Sequence, residues 1–93
     1  MSKKERFNRI VGLGCIVCKL HYGVTTPCCI HHLTGIKFRS AGKKASDDNT
    51  IGLCPAHHQY GDNDNPSIHA RPVQFAEKFG SQEILLARTN ELI

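Results

Sequence analysis

The chain has 93 residues, a formal net charge of +4, 40% apolar side chains, 6% aromatics and no tryptophan. That is one small domain near the lower limit for a self-sufficient hydrophobic core, so a metal or disulfides are expected to help hold it. No apolar run approaches the ~20 residues of a transmembrane helix. The hydrophilic start and the odd count of five cysteines argue against secretion and for a reducing cytoplasm. The mild basicity is compatible with nucleic acid without requiring it.

Residues 4–11 are expected to form a short helix with Phe7, Ile10 and Val11 on one side, in a segment made basic by Lys3, Lys4, Arg6 and Arg9. Gly12 and Gly14 break it and lead into Cys15-x-x-Cys18, where glycines let the backbone curl round a metal. After Thr25-Thr26-Pro27, residues 28–33 read as a strand, and residues 34–48 as a loop carrying Lys37, Arg39, Lys43 and Lys44. Asn49 to Leu53 reads as a second strand with Ile51 and Leu53 alternating. Pro55 suits the first position of a helix bearing His57 and His58, ended early by Gly61. The polar run Asp62-Asn63-Asp64-Asn65-Pro66 then delivers Ile68-His69. Pro72 opens a helix with Phe75, Ala76 and Phe79 on one face, stopped at Gly80. Ser81 caps the last helix, with Ile84, Leu85, Arg88 and Leu92 at helical spacing. The expected fold is a small, zinc-stabilised α+β domain, β-β-α around metal with a helical tail. It divides into a basic segment (1–11), a metal-binding core (12–71) and the tail (72–93).

Cys15, Cys18, Cys54 and His57 form a Cys-x-x-Cys and Cys-x-x-His set. Two-residue gaps let each pair bite one tetrahedral zinc from a tight turn. Cys28 and Cys29 sit mid-strand, so only one can face that metal; both read as small buried residues, with Cys29 a substitute ligand. His21 reads as a surface residue. Adjacent residues point apart on a strand and diverge on a helix, so each doublet, His31-His32 and His57-His58, divides its labour. With His57 on the zinc, His58 can look toward the strand holding His31 and His32, and His69 arrives from the loop after the same helix. Three imidazoles with an open fourth position describe a catalytic metal site, occupied by a divalent ion such as zinc, magnesium, manganese or nickel.

His31-His32-Leu33 at the end of one strand, Asn49 opening the next, and Leu53-Cys54-x-x-His57-His58 leading into a helix resemble the HNH (ββα-metal) nuclease pattern. The fuller string, from Gly42-Lys43-Lys44-Ala45-Ser46 through Ile68-His69-Ala70 to Glu77–Leu85, is similar to the phage recombination-enhancement, RecA-dependent nucleases. The resemblance implies a metal-dependent DNA endonuclease working with a RecA filament in the cytoplasm of a bacterial host. It implies His31 and His58 as catalytic-metal ligands, His32 as general base and Asn49 as the brace of the loop that holds the base. Many HNH enzymes take the third ligand four residues beyond the second, which here is Asp62; the Ile-His-Ala segment favours His69 instead. Lys37, Arg39, Lys43 and Lys44 are candidates for holding DNA phosphates, contacts that position without reading sequence. The competing reading is a non-catalytic zinc module that binds nucleic acid or protein. It accounts for the Cys15, Cys18, Cys54 and His57 set and leaves the other histidines unexplained.

Overall fold

A computed structural model describes residues 1–34, 46–62 and 64–93. In chain order these form α1 (Lys3–Leu13), a π-helical turn (Cys18–Tyr22), β1 (Cys29–His32), β2 (Thr50–Leu53), a second π-helical turn (Ala56–Tyr60), α2 (Pro72–Phe79) and α3 (Gln82–Leu92). The architecture is a small α+β fold on a two-stranded sheet.

Helix α1 begins at Ser2, whose Oγ accepts from the Glu5 amide at 3.1 Å and satisfies one of the free N–H groups of the first turn. Its inner face is Arg6 and Ile10, one turn apart and both buried. Val11, expected inward, is 55% exposed. The helix is seated through the Arg6 guanidinium as well as through Ile10 and Leu13. Arg6 Nε donates to Thr50 Oγ1 at 3.0 Å and Nη2 to the Thr50 carbonyl at 2.8 Å. Its Nη1 reaches Asn90 Oδ1 at 2.8 Å, so one buried fork joins α1, β2 and α3. Gly14 ends the segment at φ +83°, where an added Cβ would lie 2.6 Å from the Thr26 carbonyl. That carbonyl accepts from the Cys15 amide at 3.1 Å, which draws the first cysteine turn under the sheet.

Strands β1 and β2 run antiparallel with Cys29 opposite Leu53, His31 opposite Ile51 and His32 opposite Thr50. All four β2 residues are buried, where alternation was expected. Both α1 and α3 pack against this strand, which removes its solvent face. Asn49 lies just outside the strand, its carbonyl accepting from the Leu33 amide at 3.0 Å. The core gathers Ile16, Val17, Leu33, Ile51, Leu53, Phe75, Phe79 and Leu85 around the cysteines.

After β2 the chain makes a single wide turn in place of the expected α-helix. Gly61 follows it at φ −68°, so its requirement is space: a Cβ there would meet the Asn65 carbonyl at 2.2 Å, the Ser67 amide at 2.5 Å and the Ala56 carbonyl at 2.7 Å. The chain then doubles back along the turn, with the Ile68 amide donating to the His57 carbonyl at 2.8 Å and the His69 amide to the His58 carbonyl at 3.1 Å. Helix α2 buries Phe75 and Phe79, whereas Ala76 is exposed. Ser81 caps α3 through its Oγ, 3.2 Å from the Ile84 amide. The buried face of α3 is Leu85 and Thr89, while Ile84 and Leu92 face out. Thr89 can lie inside because its hydroxyl donates to the Leu85 carbonyl at 2.8 Å, a local satisfaction that hydropathy does not register.

Candidate metal centres

The turn after α1 and the turn after β2 bring Cys15, Cys18, Cys54 and His57 into one buried group. His57 Nδ1 lies 3.5 Å from Cys15 Sγ, 3.6 Å from Cys18 Sγ and 3.2 Å from Cys54 Sγ, and the Cys18 and Cys54 sulfurs are 3.9 Å apart. Tetrahedral zinc, with Zn–S of about 2.3 Å and Zn–N of about 2.0 Å, needs donors roughly 3.5–3.8 Å apart. The residues fit that ion. The remaining His57 nitrogen, Nε2, is 2.7 Å from Asn65 Oδ1, which fixes the ring with Nδ1 toward the sulfurs. Burial pushes the Cys18 thiol up to about 12, against a contact with Thr26 that lowers it and with the Cys15 and Cys54 thiols adding to the rise. A thiol so disposed gives up its proton at neutral pH only to a metal.

A second group, His31, His58 and His69, has its donor nitrogens within 4.8 Å of one another. His58 Nε2 and His69 Nε2 are 3.0 Å apart, the direct result of the backbone doubling back at Ile68 and His69. The His31 ring stands edge-on to both, with centroids 5.1 and 5.2 Å away. Burial holds His31 well below an ordinary histidine, at about 4; the Gln82 hydrogen bond opposes this, and His58, His69 and His32 add to it. His58 is lowered too, first by burial and then by His69. Neutral imidazoles are the form that binds a cation, and three of them converging leave room for a further ligand. Gln82 Oε1 lies 3.3 Å from His31 Nε2 and accepts from the Thr34 amide at 2.9 Å, clamping the end of β1 to α3.

His32 leaves β1 on the other side. Its Nε2 is 2.9 Å from Asp47 Oδ1, and its ring meets Phe7 of α1 edge-on at 6.2 Å.

A family model described as recombination enhancement, RecA-dependent nuclease matches residues 1–93. The chain belongs to this family. A nuclease role dependent on RecA therefore attaches to it in general terms. No match was found among curated proteins.

The members of the second histidine doublet fall in different groups: His57 lies with the sulfurs, and His58 lies with His31. His69 lies with those two, whereas the Asp62 carboxylate is turned to its own loop, accepting from the Asp64 and Asn65 amides at 2.9 and 2.8 Å. Asn49 contributes backbone hydrogen bonds to Leu33 and Ser46. Lys37, Arg39, Lys43 and Lys44 lie outside the described residues. Cys29 is exposed, not buried, and stands apart from the sulfur group, its Sγ 3.2 Å from His58 Nδ1. Cys28 is half-buried beneath α1, 3.7 Å from the Ile10 carbonyl. The sequence reading missed Asn65, Asp47 and Gln82, each a polar partner to one histidine. The available signal was the rule that a working imidazole has its second nitrogen hydrogen-bonded. Among the described residues no helix is long and apolar enough to cross a membrane.

Proposed function

We propose that the chain is an HNH-type, metal-dependent DNA endonuclease with a ββα-metal core, acting in the cytoplasm of a bacterial host on DNA presented with RecA, as part of phage recombination. The convergence of His31, His58 and His69, beside a separate buried Cys/His group, carries this reading. A zinc module that only binds needs the first group and has no use for the second. In this reading residues 1–93 are one domain, with a metal-binding core over 12–71 between a basic segment and a helical tail.

Cys15, Cys18, Cys54 and His57 hold a structural zinc. His31, His58 and His69 hold a divalent ion (zinc, magnesium, manganese or nickel) that, when bound, offsets negative charge growing on the phosphate oxygens. His32 takes a proton from the attacking water. The water oxygen forms the new bond to phosphorus as the bond to the 3′ oxygen breaks, and that oxygen takes its proton from solvent. Asn49 braces the loop ahead of β2. Lys37, Arg39, Lys43 and Lys44 hold neighbouring phosphates, which makes binding salt-dependent without specifying sequence.

The test is cleavage of duplex, single-stranded and RecA-coated DNA with each of the four metals, using wild type and His32→Ala. Wild type is expected to cleave in at least one metal, and His32→Ala to lose roughly 10²–10⁴-fold in rate, the usual contribution of a general base. Cleavage by His32→Ala at the wild-type rate rejects His32 as the base. Absence of cleavage in every metal and DNA form, with tight DNA binding retained, replaces the enzyme by the binding module.

A further inference from the structure

His32 is held by a chain of contacts that starts on the opposite strand. Thr50 is its cross-strand partner, and the Thr50 hydroxyl donates to the Asp47 carbonyl at 2.8 Å while receiving the Arg6 Nε–H at 3.0 Å. The Asn49 amide closes the same turn onto the Ser46 carbonyl at 3.0 Å. The Asp47 backbone is thereby pinned beside the start of β2, and its carboxylate reaches across to His32 Nε2 at 2.9 Å. Phe7 bounds the ring edge-on, and Lys3 Nζ lies 3.7 Å from the second carboxylate oxygen. An ionised carboxylate only accepts hydrogen bonds, so in the neutral ring Nε2 is the nitrogen that carries the proton and Nδ1 the one that carries the lone pair.

We propose that Asp47 is a positioning residue for His32: its carboxylate fixes the tautomer in which Nδ1 receives the proton of the attacking water. This rests on the reading of His32 as the general base. The water loses one proton to Nδ1 as its oxygen bonds to phosphorus. The imidazolium so formed keeps its Nε2–H on Asp47, which balances the new positive charge. Both features lie in the side chain. The fold-making bond from Thr50 uses the Asp47 carbonyl, so shortening the side chain leaves the turn held. The bracing expected of Asn49 is in this account shared: Asn49 shapes the turn through its backbone, and Asp47 reaches the ring.

The test compares wild type, Asp47→Asn, Asp47→Ala, His32→Ala and the Asp47→Ala/His32→Ala double variant in the metal and DNA form that wild type cleaves. Long-range nitrogen–proton NMR of the His32 ring reads the tautomer independently of turnover. The Nε2–H tautomer is expected in wild type and a mixture in Asp47→Ala. The kcat of Asp47→Ala is expected to fall about 10–100-fold, as for other groups that orient a working imidazole, with KM changed less than about twofold. Asp47→Asn keeps an acceptor without the charge, and its kcat is expected to fall by less. The double variant is expected to be no slower than His32→Ala, because the two act as a unit. Wild-type kcat in Asp47→Ala beside an inactive His32→Ala overturns the role of Asp47 and leaves the base in place. Faster cleavage by Asp47→Ala overturns it as well, since the carboxylate would then be masking the base. An Nδ1–H tautomer in wild type also rejects it. Full activity of His32→Ala removes the underlying reading instead.

Discussion

At the scale of single residues, the strongest consequence of burial falls on His31. The folded chain keeps its ring neutral down to about 4. An unfolded histidine titrates near ~6.5, so between those values the unfolded chain binds the extra proton. Stability linked to His31 is therefore complete above ~6.5 and is lost as pH falls toward the folded value, up to about 3 kcal/mol in all. Urea unfolding between pH 7 and 4, with metal only in the Cys15, Cys18, Cys54 and His57 group, measures this. Wild type is expected to lose more stability over that range than His31→Gln, which lacks the titrating ring. Equal losses in the two proteins reject the assignment. The comparison is needed because the sulfur group also takes up protons in acid.

At the scale of elements, glycines at two positions carry opposite expectations. Gly61 is enclosed by three backbone atoms that no side-chain rotation can move away. Gly61→Ala is expected to cost about 1–3 kcal/mol, the usual range for overpacking. It is also expected to weaken metal binding at both groups, because the displaced segment carries Asn65 against His57 and His69 against His58. Gly12 lies in α1 with nothing within 4 Å of a new Cβ, so Gly12→Ala is expected to gain about 0.5–1 kcal/mol from helix propensity. Thermal melts and metal titrations of the two variants separate the effects; a Gly61→Ala protein as stable as wild type would contradict the close approach. The same segment marks where the sequence stops being legible. The Cys-x-x-Cys and Cys-x-x-His bites are local, and the helix stop at Gly80 announces itself by residue type, whereas α1 runs through Gly12, expected to break it, and stops at Gly14. His69 meets His58 only because the chain returns along its own turn, through amides that every residue possesses. Gln82 reaches His31 from 51 positions away, and Arg6 reaches Thr50 across 44. Their partners are chosen by packing, and a polar side chain carries no periodic signal of what it will touch.

At the scale of the whole molecule, the sulfur group joins the two halves of the sheet's support. Cys15 and Cys18 follow α1, and Cys54 and His57 follow β2, so a zinc held by all four closes the chain around the core. That core has few large side chains: Phe75 and Phe79 are its only buried aromatics among the described residues apart from His31 and His57. Each fully buried residue of that size contributes about 1.5–3 kcal/mol, against about 1–2 kcal/mol of backbone entropy for every ordered residue. Zinc in comparable small sites contributes roughly 10–16 kcal/mol of apparent binding energy, and binding that requires the fold stabilises the fold. Cys18→Ala is therefore expected to abolish tight zinc binding and cooperative unfolding together. His58→Ala is expected to keep both and to lose only the second equivalent of metal. Because the Cys18 thiol sits up at about 12 without metal, zinc binding at neutral pH must expel protons, and affinity is expected to rise with pH. Chelator competition at several pH values, followed by circular dichroism, reads all three expectations. A wild-type protein that keeps its melting behaviour in strong chelator would show that the hydrophobic core suffices alone, and the zinc staple would then be dispensable.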